Sequence, residues 1–172
     1  MLKMLFRVFL AFSSTMWMII VYAIKTQYTV FGWSRVLCAI IYIGFGIVIA
    51  MIVLVLTQAL EKDELIKCAE FSLADNEFVP VYFGYFFVAL SIPDKFTLFF
   101  VYVMVLALIL MTNVYFNPVF ILFGYHYYNV VTAEGSAMFL ICKSVERNAK
   151  NVELTDLRRI NNRTYISHKG AC

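Results

Sequence analysis

Apolar stretches without formal charge dominate the first two thirds of this chain, and short charged stretches separate them. The longest runs from 96 to 133. About 20 apolar residues, each rising about 1.5 Å, cross a bilayer as a helix, so its first part, 96–115, is long enough to span one. Asn117-Pro118 then predicts a helix end, because proline lacks an amide hydrogen and disfavours helical backbone in the preceding residue.

Three more apolar stretches precede this one. The first is bracketed by Arg7 and Lys25 and has no small-residue cleavage site at its end, which favours a retained span over a signal peptide. The third is the shortest and ends at Pro93-Asp94. Pro80 is predicted in the first turn of its helix, and the length of this stretch fits either a crossing or a re-entrant hairpin. The four predicted spans are 8–24, 36–60, 78–92 and 96–115.

The end of the chain has a different pattern. Short β-type runs alternate with turn residues, and Gly135 between two of them predicts a hairpin that needs an unusual backbone angle. A module this small is rarely stable alone, so we expect it to pack on the helices, on neighbouring subunits or on a partner. The strand-like runs are 128–132, 136–143 and 164–168, and between the last two lie a short apolar-periodic segment, 152–160, and a turn at Asn161-Asn162. The aromatic segment 123–128 before them is typical of a membrane surface.

These patterns predict an all-α membrane protein. Its parts are a four-helix transmembrane bundle over 1–124 and a small β-rich cytoplasmic tail over 125–172. The acidic connection 61–77 has two interpretations. Its apolar positions share a helical face, which predicts an amphipathic helix that continues the second span. A solvated charged connector explains the composition equally well.

Composition and charge support the membrane class and give an orientation. The chain is 63% hydrophobic and 15% charged, against about 45–50% and about 25% in soluble domains. With four spans, all but three of the fourteen Lys and Arg residues lie on one side; the exceptions are Lys25, Arg35 and Lys95. Because positive charge accumulates on the cytoplasmic side, both termini are predicted to be cytoplasmic.

The predicted spans contain no Asp, Glu, Lys, Arg or His, although they carry several hydroxyl and amide groups. A charge in the bilayer centre costs at least about 2.5–3.5 kcal/mol and is retained for function, so its absence argues against a coupled transporter. The polar groups would either bond between helices or line a pore after oligomerisation. They are Ser13, Ser14, Thr15, Thr57, Gln58, Thr112 and Asn113.

Catalytic and metal-binding patterns are missing from the sequence. The four cysteines form no C-x-x-C pair, the two histidines have no nucleophile and carboxylate at recognisable spacing, and no Gly-rich phosphate loop occurs. We therefore expect no enzyme activity, no metal and no cofactor.

Candidate interaction residues fall into two groups. Small residues in the second span would let another helix approach closely; these are Gly44, Gly46 and Ala50. Charged residues on the cytoplasmic side would dock anionic lipid head groups or a partner protein; these are Glu64, Glu70, Arg158, Arg159 and Arg163. Acidic residues interleave with the basic ones, and the net charge is only +3, so we expect no direct nucleic-acid binding.

One motif carries a resemblance. Phe116-Asn117-Pro118, then Phe123-Gly124-Tyr125 and Tyr128, leads into a short basic β-rich tail. Together with four compact spans, this resembles the small membrane subunits of the Kiwa anti-phage defence system, the KwaA family. The resemblance implies a bacterial inner-membrane protein that forms homo-oligomers, recruits a cytosolic DNA-binding partner and responds to phage attack at the envelope.

Two functions follow as hypotheses. The first is a membrane scaffold or sensor that oligomerises and docks a cytosolic effector. The second is an oligomeric pore-forming effector with hydroxyl-bearing helix faces around the channel.

Overall fold

A computed structural model describes residues 2–30, 32–63, 66–112, 115–132, 134–143, 152–154 and 157–168. Within these ranges the chain forms helices joined to one mixed sheet. The helices are α1 (Leu2–Lys25), α2 (Arg35–Thr57), α3 (Asp75–Ser91), α4 (Lys95–Thr112) and α5 (Pro118–Leu122). The strands are β1 (Lys62–Asp63), β2 (Ile66–Leu73), β3 (His126–Thr132), β4 (Ala137–Cys142), β5 (Val152–Leu154), β6 (Leu157–Arg159) and β7 (Thr164–Ser167).

The four long helices run alternately towards and away from the sheet. At the end away from it, here called the far end, the Lys25 ammonium donates to the carbonyls of Leu90 and Ile92 at 2.6 and 2.7 Å. Lys95 lies there too, 5.0 Å from the ring centre of Tyr28. The other ends of α1 to α4, here called the sheet end, adjoin the strands. Thus α3, although shorter than α1 and α2, also runs from the sheet end to the far end.

Helix α1 is the centre of the bundle. It packs against α2, α3 and α4, which make few contacts with one another. Its buried residues Leu10 and Ala11 belong to a core that continues into the sheet. Because α1 lies at the centre, its three neighbours cover much of its surface.

The helix ends follow the local chemistry, with two departures from prediction. Asp94 caps α4 by accepting from the Thr97 amide and hydroxyl at 2.9 and 2.8 Å, and these bonds lower the pKa of its carboxyl group. Asn117 ends no long helix: α4 is described only to Thr112, and the Asn117 side chain caps α5, with Pro118 in its first turn. Pro80 lies inside α3, not in its first turn.

The strand order of the sheet is β1-β6-β7-β4-β3-β2-β5. The predicted hairpin is confirmed: β3 pairs with β4 antiparallel, and Gly135 between them has φ +82°. The turn after β6 is confirmed as well, because the Asn161 carboxamide oxygen accepts from the Arg163 and Thr164 amides at 2.7 and 2.8 Å.

The connection 61–77 is neither an amphipathic helix nor a free connector. It forms β1 and β2, and β2 pairs with β3 on one side and β5 on the other. Pairing with β5 over Ile66–Cys68 and with β3 over Cys68–Leu73 gives the strand backbone partners from other elements, whereas an isolated helix this short is only marginally stable. The β-rich part of the fold therefore draws strands from both sides of residue 124.

Alternation along the strands gives the sheet two apolar faces. Tyr127, Phe139, Ile141 and Ile166 face the helices and share their core. Tyr128, Val130, Leu140, Cys142, Leu157 and Tyr165 form a second buried cluster on the opposite face. The aromatic segment was therefore predicted wrongly as a membrane-surface belt, because Tyr127 and Tyr128 are almost fully buried inside the protein.

Three of the helices are long and apolar enough to cross a membrane: Phe6–Lys25 within α1, Arg35–Thr57 and Lys95–Thr112. They coincide with the predicted first, second and fourth spans, although α2 ends at Thr57 and not at 60. The predicted third span corresponds to α3, which has 17 residues and carries Asp75 and Glu77 in its first turn. A helical bundle with a β-rich part is thus confirmed, whereas four transmembrane crossings stay a prediction.

Candidate functional site at the junction of helices and sheet

A buried polar cluster joins α1 to the sheet through the segment before α5. It consists of Ser13, Tyr82, Asn117 and Tyr127, and we call it the junction. The Asn117 amide nitrogen donates to the Ser13 hydroxyl at 2.8 Å, and its backbone N–H donates to the Tyr127 hydroxyl at 2.9 Å. The Tyr127 hydroxyl in turn donates to the Asn117 carbonyl at 3.0 Å.

Burial makes this arrangement demanding. Ser13, Asn117 and Tyr127 are each at most 1% exposed, and an unpaired polar group there would cost about 1–3 kcal/mol. Burial also raises the pKa of the Tyr127 phenol far above its ordinary value. Its hydroxyl therefore stays protonated at any physiological pH and can donate to the carbonyl.

Helix α3 is attached at the same place by two contacts. The Tyr82 hydroxyl donates to the Phe116 carbonyl at 2.6 Å. At the start of α3, Asp75 accepts from the Tyr127 backbone N–H at 2.7 Å and lies 2.7 Å from His126 Nδ1. Because the Asp75 carboxylate bonds to both His126 and Tyr127, it fixes the start of α3 on β3.

Helix α2 is attached through a histidine that the sequence reasoning missed. His168, just after β7, places Nε2 2.7 Å from the Thr57 hydroxyl and Nδ1 2.8 Å from the Tyr125 hydroxyl. The Arg158 guanidinium donates to the Leu60 carbonyl at 2.7 Å. Each of α1, α2 and α3 therefore bonds to the sheet or to the segment before it.

The hydroxyl groups proposed as pore lining bond within the chain. Ser13 belongs to the junction, the Ser14 hydroxyl donates to the Leu10 carbonyl, and the Thr15 hydroxyl lies 3.0 Å from Tyr102 on α4. All three are buried. Gln58 and Thr112 are exposed, and Asn113 lies outside the described residues. Of the two predicted uses, bonding between helices holds for Thr15, whereas Ser13 bonds to the segment before α5 and Ser14 bonds within α1.

The charged docking candidates do not meet at one place. Glu70 on β2 and Arg158 on β6 are separated by four strand steps, about 19 Å at about 4.8 Å per step. Arg158 pairs across from Ile166 and points to the helices, whereas Arg159 pairs across from Tyr165 on the other face. Arg163 is exposed in the turn before β7. Glu64 lies outside the described residues.

The small-residue candidates lie on different sides of α2. A Cβ added at Gly46 would come within 2.9 to 3.2 Å of Ile20, Trp17 and Met16 on α1, while Gly44 has open space around it. Ala50 is fully buried. Gly46 and Ala50 thus lie in the α1–α2 contact, and Gly44 does not.

The chain matches the family described as "Anti-phage protein KwaA" over residues 6–166, which is nearly its whole length. It belongs to the KwaA family. Membership in this family implies a role in anti-phage defence and confirms the resemblance carried by the Asn117-Pro118 motif. Searches of curated proteins and of solved structures find no match.

The junction joins Ser13 and Tyr127, which are far apart in the sequence but both lie within the family match. Among the described residues, no group of three or more His, Cys, Asp or Glu could hold a metal ion. Cys38 and Cys142 are buried free thiols. The arrangement is suited to mechanical attachment of helices to a sheet.

Proposed function

We propose that this chain is a multi-pass subunit of a bacterial inner membrane that acts in anti-phage defence as a scaffold and sensor. It crosses the bilayer four times, self-associates through its helices and docks a cytosolic effector on its sheet. The observation that carries the proposal is the junction. Helices α1 and α3 bond to the segment before α5, and this segment bonds to Tyr127 on β3. A displacement of the helices would therefore be passed to the sheet.

The course of α3 supports the fourth crossing. Asp75 at its start bonds to β3, and Leu90 near its end accepts from Lys25 at the far end. Seventeen residues rise about 25 Å, which is slightly short of a hydrocarbon core of about 30 Å. Lys25 can extend to the surface by snorkelling and so tolerates this mismatch.

The distribution of basic residues supports the orientation. Lys25, Arg35 and Lys95 lie at the far end, and the remaining Lys and Arg residues lie at the sheet end or in the segments around the strands. The positive-inside rule places the sheet end in the cytoplasm. The exposed sheet residues would then be available to a cytosolic protein.

Self-association is supported by the outer surfaces of α2 and α4. Large apolar side chains are exposed along both helices, and Gly44 lies on the open side of α2. Between membrane helices, close packing at small residues drives association more than apolar area does. Gly44 is therefore the expected point of close approach by a second copy.

A labelling experiment tests the crossings. Single cysteines would be introduced at exposed positions, Ser91→Cys at the far end and Glu134→Cys in the sheet hairpin, in a chain with Cys68 and Cys172 changed to Ser. A membrane-impermeant maleimide applied to spheroplasts should label Ser91→Cys at once and Glu134→Cys only after lysis. Labelling of both from outside, or of neither, would contradict the four crossings.

Docking is better tested by surface changes than by truncation, because removing residues after Tyr128 would remove four of the strands from the sheet. Glu70→Lys and Arg159→Glu reverse charges at opposite ends of the sheet. We expect at least one to reduce co-purification of the cytosolic effector about tenfold, whereas Glu134→Lys, a matched control, should not. Unchanged co-purification by both variants would contradict docking at these charges.

A further inference from the structure

A polar cavity lies between the sheet end of the bundle and the turn before β7. Its volume is about 260 Å³, and it is lined by Arg7, Met111, Thr112, Asn161, Asn162 and Arg163. The cavity thus combines the start of α1, the end of α4 and one turn of the sheet. None of its described lining residues is acidic.

The hydrogen-bonding groups around the cavity are mainly donors. The Asn161 side-chain oxygen already accepts from two backbone amides, and that of Asn162 accepts from Arg159 at 3.1 Å. Arginine offers donors only. The lining therefore favours a ligand that accepts hydrogen bonds.

Arg7 adds an independent indication. Its Nε atom is buried and has no hydrogen-bond partner among the described residues, which is unusual for a buried donor. The Tyr115 phenol, itself buried, lies within electrostatic range of the Arg7 charge and bonds to the Asn161 side chain. Within the part of the chain that the structure describes, this guanidinium therefore has no carboxylate partner.

The described residues that line the cavity give it a net positive charge. The end of α4 contributes at most about half a negative charge through its carbonyl groups. Arg7 and Arg163 contribute two positive charges in planar forks that match phosphate oxygens. The balance therefore favours an anion, and the paired forks favour a phosphate over a halide.

The level of the cavity along the helices suggests where such a phosphate comes from. Arg7 is the second residue of the apolar segment Phe6–Lys25, and Thr112 is the last of Lys95–Thr112. Both residues lie at the sheet end of their helices, which the proposed topology puts at the membrane surface. In a bilayer, this is the level of the lipid head groups.

We infer that this cavity binds a phosphate group, supplied by an anionic phospholipid head group or by free phosphate, through Arg7, Arg163 and the Asn162 amide. The head-group source rests on the proposed membrane location, whereas the phosphate site itself does not. A volume of about 260 Å³ accommodates a phosphate with several waters, since each water takes about 30 Å³.

The test measures ligand binding to the delipidated full chain in detergent micelles. Native mass spectrometry would count bound phosphatidylglycerol and phosphatidylcholine, and calorimetry with inorganic phosphate forms the second arm. We expect phosphatidylglycerol to bind the wild-type chain, and Arg7→Gln with Arg163→Gln to weaken it about tenfold or more. Lys95→Gln, which removes one charge at the far end, should bind as the wild type does.

Each result decides a separate point. Arginine-dependent binding of phosphatidylglycerol alone assigns a head-group site, and arginine-dependent binding of inorganic phosphate assigns a free-phosphate site even if the membrane location fails. Binding that is unchanged in the double variant, or absent in the wild type, would overturn the inference. Arg7→Lys with Arg163→Lys keeps the charges and should retain partial binding, which separates loss of the site from loss of the fold.

Discussion

Helices α1 and α4 are both apolar segments of bilayer length, yet their environments are opposite. Half of the apolar window of α1 is buried, against 6% of that of α4. The buried helix carries Ser13, Ser14 and Thr15, whereas the exposed one presents mainly large apolar side chains. The exposed apolar residues of α4 are Phe96, Phe99, Phe100, Val103, Met104, Leu108 and Met111.

This contrast is the reverse of what a water-soluble bundle would show. In water, hydroxyl-bearing residues face outward and large apolar ones inward. In hydrocarbon, a hydroxyl must find a partner inside the protein, while apolar side chains contact lipid at no penalty. The comparison shows that hydropathy alone ranks α4 as the more buried helix, which is wrong within the fold, although an exposed apolar helix suits the proposed membrane location.

The largest expected effect separates the two helices directly. Leu10→Ala removes a side chain that is 1% exposed in α1, and Leu108→Ala removes one that is 54% exposed in α4. The first leaves a cavity and should lower the free energy of unfolding by about 2–5 kcal/mol, and the second by about 0.5 kcal/mol or less. Unfolding in mixed detergent micelles measures both. Equal losses would show that α4 is buried as deeply as α1.

A second change tests how closely α1 is enclosed by α2. Gly46→Leu places atoms against Ile20 and Trp17, whereas Gly44→Leu, two residues away, enters open space. Overpacking should lower the free energy of unfolding of the Gly46 variant by about 1–3 kcal/mol. The monomeric Gly44 variant should unfold like the wild type in the same assay. A destabilised Gly44 variant beside a normal Gly46 variant would reverse the assigned face.

A third change tests the attachment of α1 to the sheet. Tyr127→Phe removes the hydroxyl that bonds to Asn117 and leaves a buried N–H and a buried carbonyl without that partner. The free energy of unfolding should fall by about 1–3 kcal/mol. Tyr28→Phe removes a hydroxyl from an exposed far-end tyrosine and serves as the control. A loss no greater than the control's would mean that the junction contributes no stability.

The smallest expected effect concerns the hydrogen bond that joins α1 to α4. A double-mutant cycle with Thr15→Val and Tyr102→Phe isolates their 3.0 Å bond. Hydrogen bonds between membrane helices average about 0.6 kcal/mol and reach about 1.7 kcal/mol, so the coupling energy should fall in this range. A coupling energy indistinguishable from zero would reduce the α1–α4 contact to apolar packing.

Local patterns predicted much of the secondary structure. The apolar segments, the β3–β4 hairpin with Gly135 and the Asn161 turn depend on residues that are close in sequence, so spacing and turn chemistry were sufficient to find them. The strand β2 was missed because its main partner, β3, lies more than fifty positions later. Before that pairing is known, the segment Ile66–Leu73 is equally compatible with a helix.

The site was less accessible to sequence reasoning. Asn117 was noticed as a helix end and as part of the motif that carries the family resemblance, but no local pattern connected it with Ser13 or Tyr127. In the sequence, the only sign of such a buried amide is an asparagine within an otherwise apolar stretch. Arg7 was taken for a flank of the first span, and its proximity to Arg163 depends on how the sheet packs under α1.

The sequence by itself determined which segments are apolar enough for hydrocarbon, where the turns fall and on which side the positive charge accumulates. These properties depend on composition and near neighbours. Only the tertiary structure decided that α1 is central, that 61–77 supplies strands and that Ser13, Asn117 and Tyr127 meet. Such contacts join positions far apart in the chain, and in an apolar helix several faces are equally suited to burial until the neighbouring elements select one.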